Sequence, residues 1–232
     1  MLRKLLLATL TYGCFACNDG IEVTTDITVP ETKLAISLNE LAGYYTDTLP
    51  CASCEGILTG LAILDDSTYF LTELYLSEQA IPFGRIGKYS REGDQLLLQF
   101  ESDSVIRFKI LEDRILQLDN DGTEIVSGLD YSLDKATLPA NLLSLPFIAS
   151  GLFKMEAKKA NFQLCGQEQA WGVLDDKGLK DAERNLIKQK AELAKGIYLR
   201  AAIELQPSTD STGTTYQVKL NKINDLLAGG CN

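Results

Sequence analysis

Residues Ile57 to Leu76 read ILTGLAILDDSTYFLTELYL, two β-forming runs separated only by Asp65-Asp66-Ser67. β-branched, aromatic and leucine residues fill both runs, and the three polar residues between them carry turn chemistry. A break this short leaves no room for a crossover helix, so the two strands must pair antiparallel. The same grammar extends outward. Gly84 to Ser90, Gln95 to Glu101, Val105 to Leu111 and Arg114 to Leu118 are further strand-like runs, broken at Arg91-Glu92-Gly93-Asp94, Glu112-Asp113 and Asn120-Asp121-Gly122. Leu96-Leu97-Leu98 interrupts strict alternation. From about Leu38 to Leu133 the expectation is an antiparallel meander that hides its edges by closing, wholly or partly, into a barrel.

Pro139 and Pro146 bracket Ala140-Asn141-Leu142-Leu143-Ser144-Leu145, and the boundary is placed there, with the leucines packing the connection onto a folded body. Beyond it the pattern changes. Phe147 to Met155, Asn161 to Cys165 and Ala170 to Leu174 read as strands. Leu179, Ala182, Leu186, Leu193 and Ala194 recur at helical spacing, with Asp175 or Asp176 as the cap and Gly196 as a left-handed stop. Tyr198 to Gln206 and Thr214 to Ile223 are two more strands around a polar loop, Pro207 to Gly213. The fold expected is mainly β: an antiparallel barrel or half-barrel, then a small barrel of the oligonucleotide/oligosaccharide-binding (OB) type with one helix.

The N-terminus sets the compartment. Arg3 and Lys4 precede the apolar run Leu5 to Leu10, and small residues and two cysteines follow in Thr11-Tyr12-Gly13-Cys14-Phe15-Ala16-Cys17. That is the anatomy of a secretory signal, and a terminal cysteine resembles the lipobox of bacterial lipoproteins. Cys17 is the expected lipidation site, since Ala16 precedes it and polar Asn18-Asp19-Gly20 follows; Cys14 is the alternative. A plain secretory cut elsewhere is the bland reading. The organisation is then a signal at 1–16, a tether at 17–37 (Glu22 to Val29 reads equally well as an edge strand), a first domain at 38–138, a linker at 139–146 and a second domain at 147–232. No other stretch approaches the ~20 apolar residues of a spanning helix.

Composition excludes several functions. The formal charge is −10, and −12 once Arg3 and Lys4 are lost with the signal, which disfavours nucleic acid as a partner. There is no histidine, so Ser-His-Asp and Cys-His catalysis and imidazole-bound zinc or copper are ruled out. Met155 would be the one methionine left after maturation. Asp119-Asn120-Asp121-Gly122 lacks the closing acid of a calcium loop and reads as a hairpin turn. Trp171 reads as core, and Tyr44 and Tyr45 as cross-strand packing. No enzyme is indicated.

With Cys17 acylated, four cysteines remain. Cys165 and Cys231 both fall in the second domain, and a bridge between them closes a loop of more than sixty residues, stabilising by ~4 kcal/mol on the chain-entropy argument. It reads as a structural or redox disulfide. Cys51 and Cys54 close only four residues, worth under ~2 kcal/mol, so their pairing speaks for a local loop lock, redox chemistry or metal binding. A strand-like run follows them, unlike the helix of a thioredoxin site, and Glu55 disfavours a nearby thiolate. Two thiolates could hold Cu(I) in near-linear geometry if reduced. That makes Cu(I) the one candidate cofactor.

The stretch from Gly43 to Ile57, GYYTDTLPCASCEGI, resembles the NlpE family of envelope lipoproteins, also called copper homeostasis or copper resistance lipoproteins. Leu49-Pro50-Cys51-Ala52-x-Cys54-Glu55-Gly56-Ile57 carries the resemblance. A looser likeness runs through Thr68 to Leu76, Gly84 to Tyr89, Asp94 to Leu98 and Ile115 to Glu124. The resemblance implies an outer-membrane lipoprotein facing the periplasm of a Gram-negative bacterium. It implies a lipocalin-type first domain carrying the C-x-x-C, an OB-type second domain, and stress signalling to a sensor kinase as partner. It also ties the chain to copper tolerance and makes Cys165 and Cys231 candidates for redox signalling.

Overall fold

The computed structural model describes residues 41–100, 104–157, 159–189, 195–210, 213–228 and 230–231. The signal, the tether, Cys14 and Cys17 lie outside them. Eight strands close an antiparallel barrel: β1 (Gly43–Leu49), β2 (Ile57–Ile63), β3 (Thr68–Tyr75), β4 (Phe83–Glu92), β5 (Gln95–Phe100), β6 (Ser104–Ile110), β7 (Arg114–Gln117) and β8 (Ser132–Ala136). Consecutive strands pair as the short turns require. Closure comes from β1 on β8, with Tyr44 opposite Ala136 and Thr46 opposite Asp134. The barrel is whole, so the half-barrel alternative does not apply.

Its interior is filled. Tyr45, Leu61, Ile63, Tyr69, Leu71, Tyr89, Leu96, Leu98, Phe108, Ile115 and Leu133 form one buried cluster. The period of two along each strand puts alternate residues there. In the leucine triplet, Leu96 and Leu98 point into this cluster, and the burial of Leu97 on the other face explains the broken alternation. Tyr45 also donates its hydroxyl to the Leu41 carbonyl at 3.0 Å.

The remaining strands are β9 (Phe147–Glu156), β10 (Lys159–Leu164), β11 (Ala170–Gly172), β12 (Ile197–Asp210) and β13 (Gly213–Leu226), with helix α1 (Lys177–Lys188) between β11 and β12. Their order is β11-β10-β9-β12-β13. A parallel bridge from Val173 to Val218 brings the first of these edges round to the last. Asp176 caps α1, accepting from the Leu179 N–H at 3.1 Å. Leu179, Ala182 and Leu186 are its buried face, at the spacing read from the sequence. The Gly178 position abuts the Leu220 carbonyl so closely that a Cβ would fall 1.8 Å from the oxygen.

Three expectations shift. The described helix ends at Lys188 with Gln189 as its cap, and Leu193 and Ala194 lie outside the described residues. Gly196 is left-handed (φ +86°), but it serves the entry to β12, where a Cβ would meet Leu152 and Lys154 at 2.9 Å. Much of the expected loop from Pro207 to Gly213 is strand, with Pro207 opposite Tyr216. Beyond Ile203 strand β12 has lost β9 and pairs only with β13. A proline is tolerated on such an edge.

All described residues fall within one compact unit. Barrel and second sheet share packed side chains, and the sheet is continuous through one parallel pair, Phe83 with Ile148. Small outward residues make the close approach possible. Ala62 and Phe70, on the outer barrel wall, join the cluster built around Phe147, Phe153, Phe162, Trp171, Leu199 and Ile203. Phe147 lies edge-on to Phe70 with centroids 5.0 Å apart. Its ring occupies the space that a side chain on Gly84 would need. The connection after β8 is packed too, with Leu142 and Leu143 of the 3-10 turn Leu142–Ser144 against this cluster.

Candidate functional site

Pro50 to Gly56 link β1 to β2 at one end of the barrel, and Cys51 and Cys54 are joined there as a disulfide with Cα atoms 5.4 Å apart. The Cys54 N–H points at Cys51 Sγ, 3.0 Å away, and Cys54 Sγ lies 3.3 Å from the Gly56 carbonyl oxygen. Gly56 has φ +152°, and a Cβ there would strike Thr48 Cγ2 at 2.5 Å. Only glycine fits this turn. Its carbonyl accepts from the Leu76 N–H at 2.9 Å, which ties the loop to the end of β3. The cysteines are half-buried and Ala52, Ser53 and Glu55 are exposed. A strand follows the pair, so no helix N-terminus is there to lower a thiol pKa. Bonded to each other, these sulfurs are not thiolates, and Cu(I) would require their reduction. Among the described residues no group of three or more histidine, cysteine or acidic side chains could hold a metal.

Cys165 and Cys231 form the second disulfide, Cα atoms 5.6 Å apart and 66 residues apart in sequence. Cys165 directly follows β10, and its N–H donates to the Ser150 carbonyl at 3.0 Å. The next turn carries left-handed Gly166 (φ +78°) and then Gln167. Gln167 Nε2 donates across to the Ile86 carbonyl of β4 at 2.7 Å, and the Gln167 carbonyl accepts from Gln163 at 2.8 Å. The bridge therefore pins the chain's end to a loop that is itself hydrogen-bonded to the barrel wall.

Beside that loop runs a cleft of about 1100 Å³. Phe70, Ile86, Trp171, Leu205 and Tyr216 give it an apolar floor, with Asp66, Lys88, Gln167 and Cys231 at its sides. Burial would raise the Asp66 carboxyl, but hydrogen bonds from the Thr68 hydroxyl and N–H, together with Lys88, hold it below its usual range. Burial pushes the Tyr89 phenol up, helped by Asp65 and Asp66.

The other sequence candidates take structural places. Asp119 to Thr123 form a tight turn, with the Asp119 N–H donating to the Thr123 carbonyl at 2.9 Å and Gly122 at φ +83°. Asp66 closes the β2–β3 turn and Asp175 pairs with Lys180 at 3.6 Å. Trp171 is buried, edge-on to Tyr216 at 6.5 Å. Tyr44 and Tyr45 sit opposite Ala62 and Leu61. Sequence reasoning missed Gln167 and Gly84. A lone glutamine and a strand glycine carry no local signal of a partner more than sixty residues away.

Three comparisons bear on the chain. The profile of the NlpE N-terminal domain matches residues 45–128. Lipoprotein NlpE of Escherichia coli (strain K12) is 26% identical over 205 residues, 86% of this chain and 83% of that protein. Two solved structures are similar. One is a Shewanella oneidensis protein provisionally described as a lipoprotein, 32% identical, covering 44% of this chain and 96% of its own, with a TM-score of 0.39. The other is the Cpx pathway activator NlpE from Escherichia coli, 24% identical, covering 80% of this chain and 94% of its own, with a TM-score of 0.34.

Proposed function

We propose, from the membership of residues 45–128 in the NlpE N-terminal domain family, that this chain is an envelope lipoprotein that reports stress through protein contacts and is not an enzyme. The relative that shares most of its length is a lipoprotein, and the solved one is a Cpx pathway activator. In this reading the signal at 1–16 is removed and Cys17 (or Cys14) is acylated. Residues 17–37 tether a barrel domain at 38–138, and 139–146 lead to a second domain at 147–232. The anchor places the protein on the outer membrane, facing the periplasm, with a sensor kinase as partner. No helix among the described residues is long and apolar enough to cross a membrane. The strand order β11-β10-β9-β12-β13 and the Val173–Val218 bridge support an OB-type second domain.

The observation that carries the mechanism is the Cys165–Cys231 bridge, which holds the last-but-one residue against a loop hydrogen-bonded to the barrel. Oxidised, it keeps the second domain shut. When it fails to form, the C-terminus and the Gly166–Gln169 loop are released and a partner surface is exposed. Replacing either cysteine by serine is expected to lower the unfolding midpoint and alter capture of the sensor kinase's periplasmic part. If neither changes, the mechanism is wrong. Cu(I) buffering by Cys51 and Cys54 needs the reduced pair. Carriage of a small apolar ligand inside the barrel finds little support in an interior filled by side chains.

A further inference from the structure

A second, smaller cavity of about 290 Å³ lies where β3 and β4 of the barrel meet β9 and β12. The chain as a whole is strongly acidic, with 32 aspartates and glutamates against 22 lysines and arginines. This cavity inverts that balance: among the described residues its charged lining is Arg85 and Arg200, with no carboxylate side chain. The two arginines come from strands far apart in the chain, β4 of the barrel and β12 beyond it.

Each guanidinium is held by an aromatic ring. Arg85 lies over Phe100 at 5.1 Å and Arg200 over Phe83 at 5.9 Å, while Tyr75 meets Phe83 edge-on at 6.1 Å. A guanidinium stacked on a ring keeps its in-plane N–H groups for an acceptor, and it has five of them. Arg85 gives part of its edge to Glu73. Arg200 has Asp225 at 3.9 Å, beyond hydrogen-bond distance, and that carboxylate is mostly exposed. Half of each arginine side chain or less is exposed, so both are partly desolvated but reachable. Tyr75 and Ser150 add hydroxyls, and Ile148 and Leu164 add an apolar wall. Burial first, and then Glu73, push the Tyr75 phenol up, so it stays a donor.

We propose that this cavity is a binding site for a carboxylate borne on a short apolar body, gripped between Arg85 and Arg200 with its body against Phe83, Phe100 and Ile148. The planar two-oxygen fork of a carboxylate matches guanidinium geometry. The volume sits at the small end of the ~300–1,000 Å³ typical of ligand pockets. The same chemistry is offered by a free short-chain acid or by the C-terminal carboxylate of a peptide with apolar last residues. This inference does not depend on the signalling reading.

The test is calorimetric titration of the protein purified from cells with both disulfides intact. The probes are hexanoate, its neutral counterpart hexanamide, and an acetylated Ala-Leu-Phe tripeptide with a free or an amidated C-terminus. Binding of an acid and not of its amide is expected, with hexanoate or the free-ended peptide identifying the source. Arg200→Gln, whose ion pair is already long, should weaken binding at least about tenfold with the ligand-free melting midpoint unchanged. Arg85→Gln is the second variant and should weaken binding to a similar extent, with the melting midpoint lowered by the stranded Glu73. The proposal is overturned if neither acid binds in the millimolar range, if the amides bind as well, or if Arg200→Gln binds like the unmodified protein.

Discussion

The join between barrel and second sheet rests on a side chain filling the space over a glycine, and a double-mutant cycle measures that directly. A Cβ on Gly84 would lie 2.2 Å from Phe147 Cδ2 and 2.8 and 2.9 Å from Cγ and Cε2. Ordinary contact begins at 3.4 Å, so the ring must retreat by about 1.2 Å, and overpacking on this scale costs ~1–3 kcal/mol. Phe147 has little freedom to retreat: it is 1% exposed and packs on Phe70. Phe147→Ala alone removes a buried ring and costs ~3–5 kcal/mol. In the double variant the clash is gone and the new methyl occupies part of the void. The pair should therefore be less destabilising than the sum of the singles by ~1–3 kcal/mol. Urea unfolding followed by fluorescence of Trp171, the single tryptophan and a member of the same cluster, is the assay. Additivity within about 0.5 kcal/mol would refute the contact.

Two further measurements probe other links. Replacing Cys165 and Cys231 by serine should cost ~4 kcal/mol and replacing Cys51 and Cys54 under ~2 kcal/mol, because loop-closure entropy grows with the 66- against 3-residue separation; equal losses would count against the entropic account. Glu204 accepts from Asn221 at 2.9 Å and Lys219 at 3.1 Å. Burial opposes its ionisation, but these partners hold its pKa below the ordinary 4.5. Its contribution is therefore present above the unfolded pKa and lost as pH falls through the lower folded one. Glu204→Gln should cost less than ~1 kcal/mol at neutral pH and flatten the acid limb of the melting midpoint against pH. An acid limb as steep as before would sink that assignment.

What the linear chain determined is local. Short turns such as Asp65-Asp66-Ser67 and Gly93-Asp94 force antiparallel neighbours because a strand has nowhere else to go, although Arg91 and Glu92, read as part of the second turn, are paired within β4. Helical spacing marks Leu179, Ala182 and Leu186, and Asp176 announces the helix start. The segment around Pro50-Cys51 and Cys54-Glu55-Gly56 lies in the stretch that matches the NlpE N-terminal domain, and its turn is one that only glycine completes. Tertiary structure decided everything that depends on partners distant in sequence. Closure of the barrel needs β1 to find β8, whose paired residues Asp134, Lys135 and Ala136 are weak β-formers that local propensity does not mark as a strand. Strand β12 runs through Pro207 because an edge position asks for no donor there, which no local rule reports. Gly84 under Phe147, Gln167 on the Ile86 carbonyl, and Arg85 near Arg200 are likewise meetings of residues far apart in the chain. Periodicity and turn chemistry act over a few residues and are legible in order. Packing and charge complementarity act across space, and only the folded arrangement assigns those neighbours.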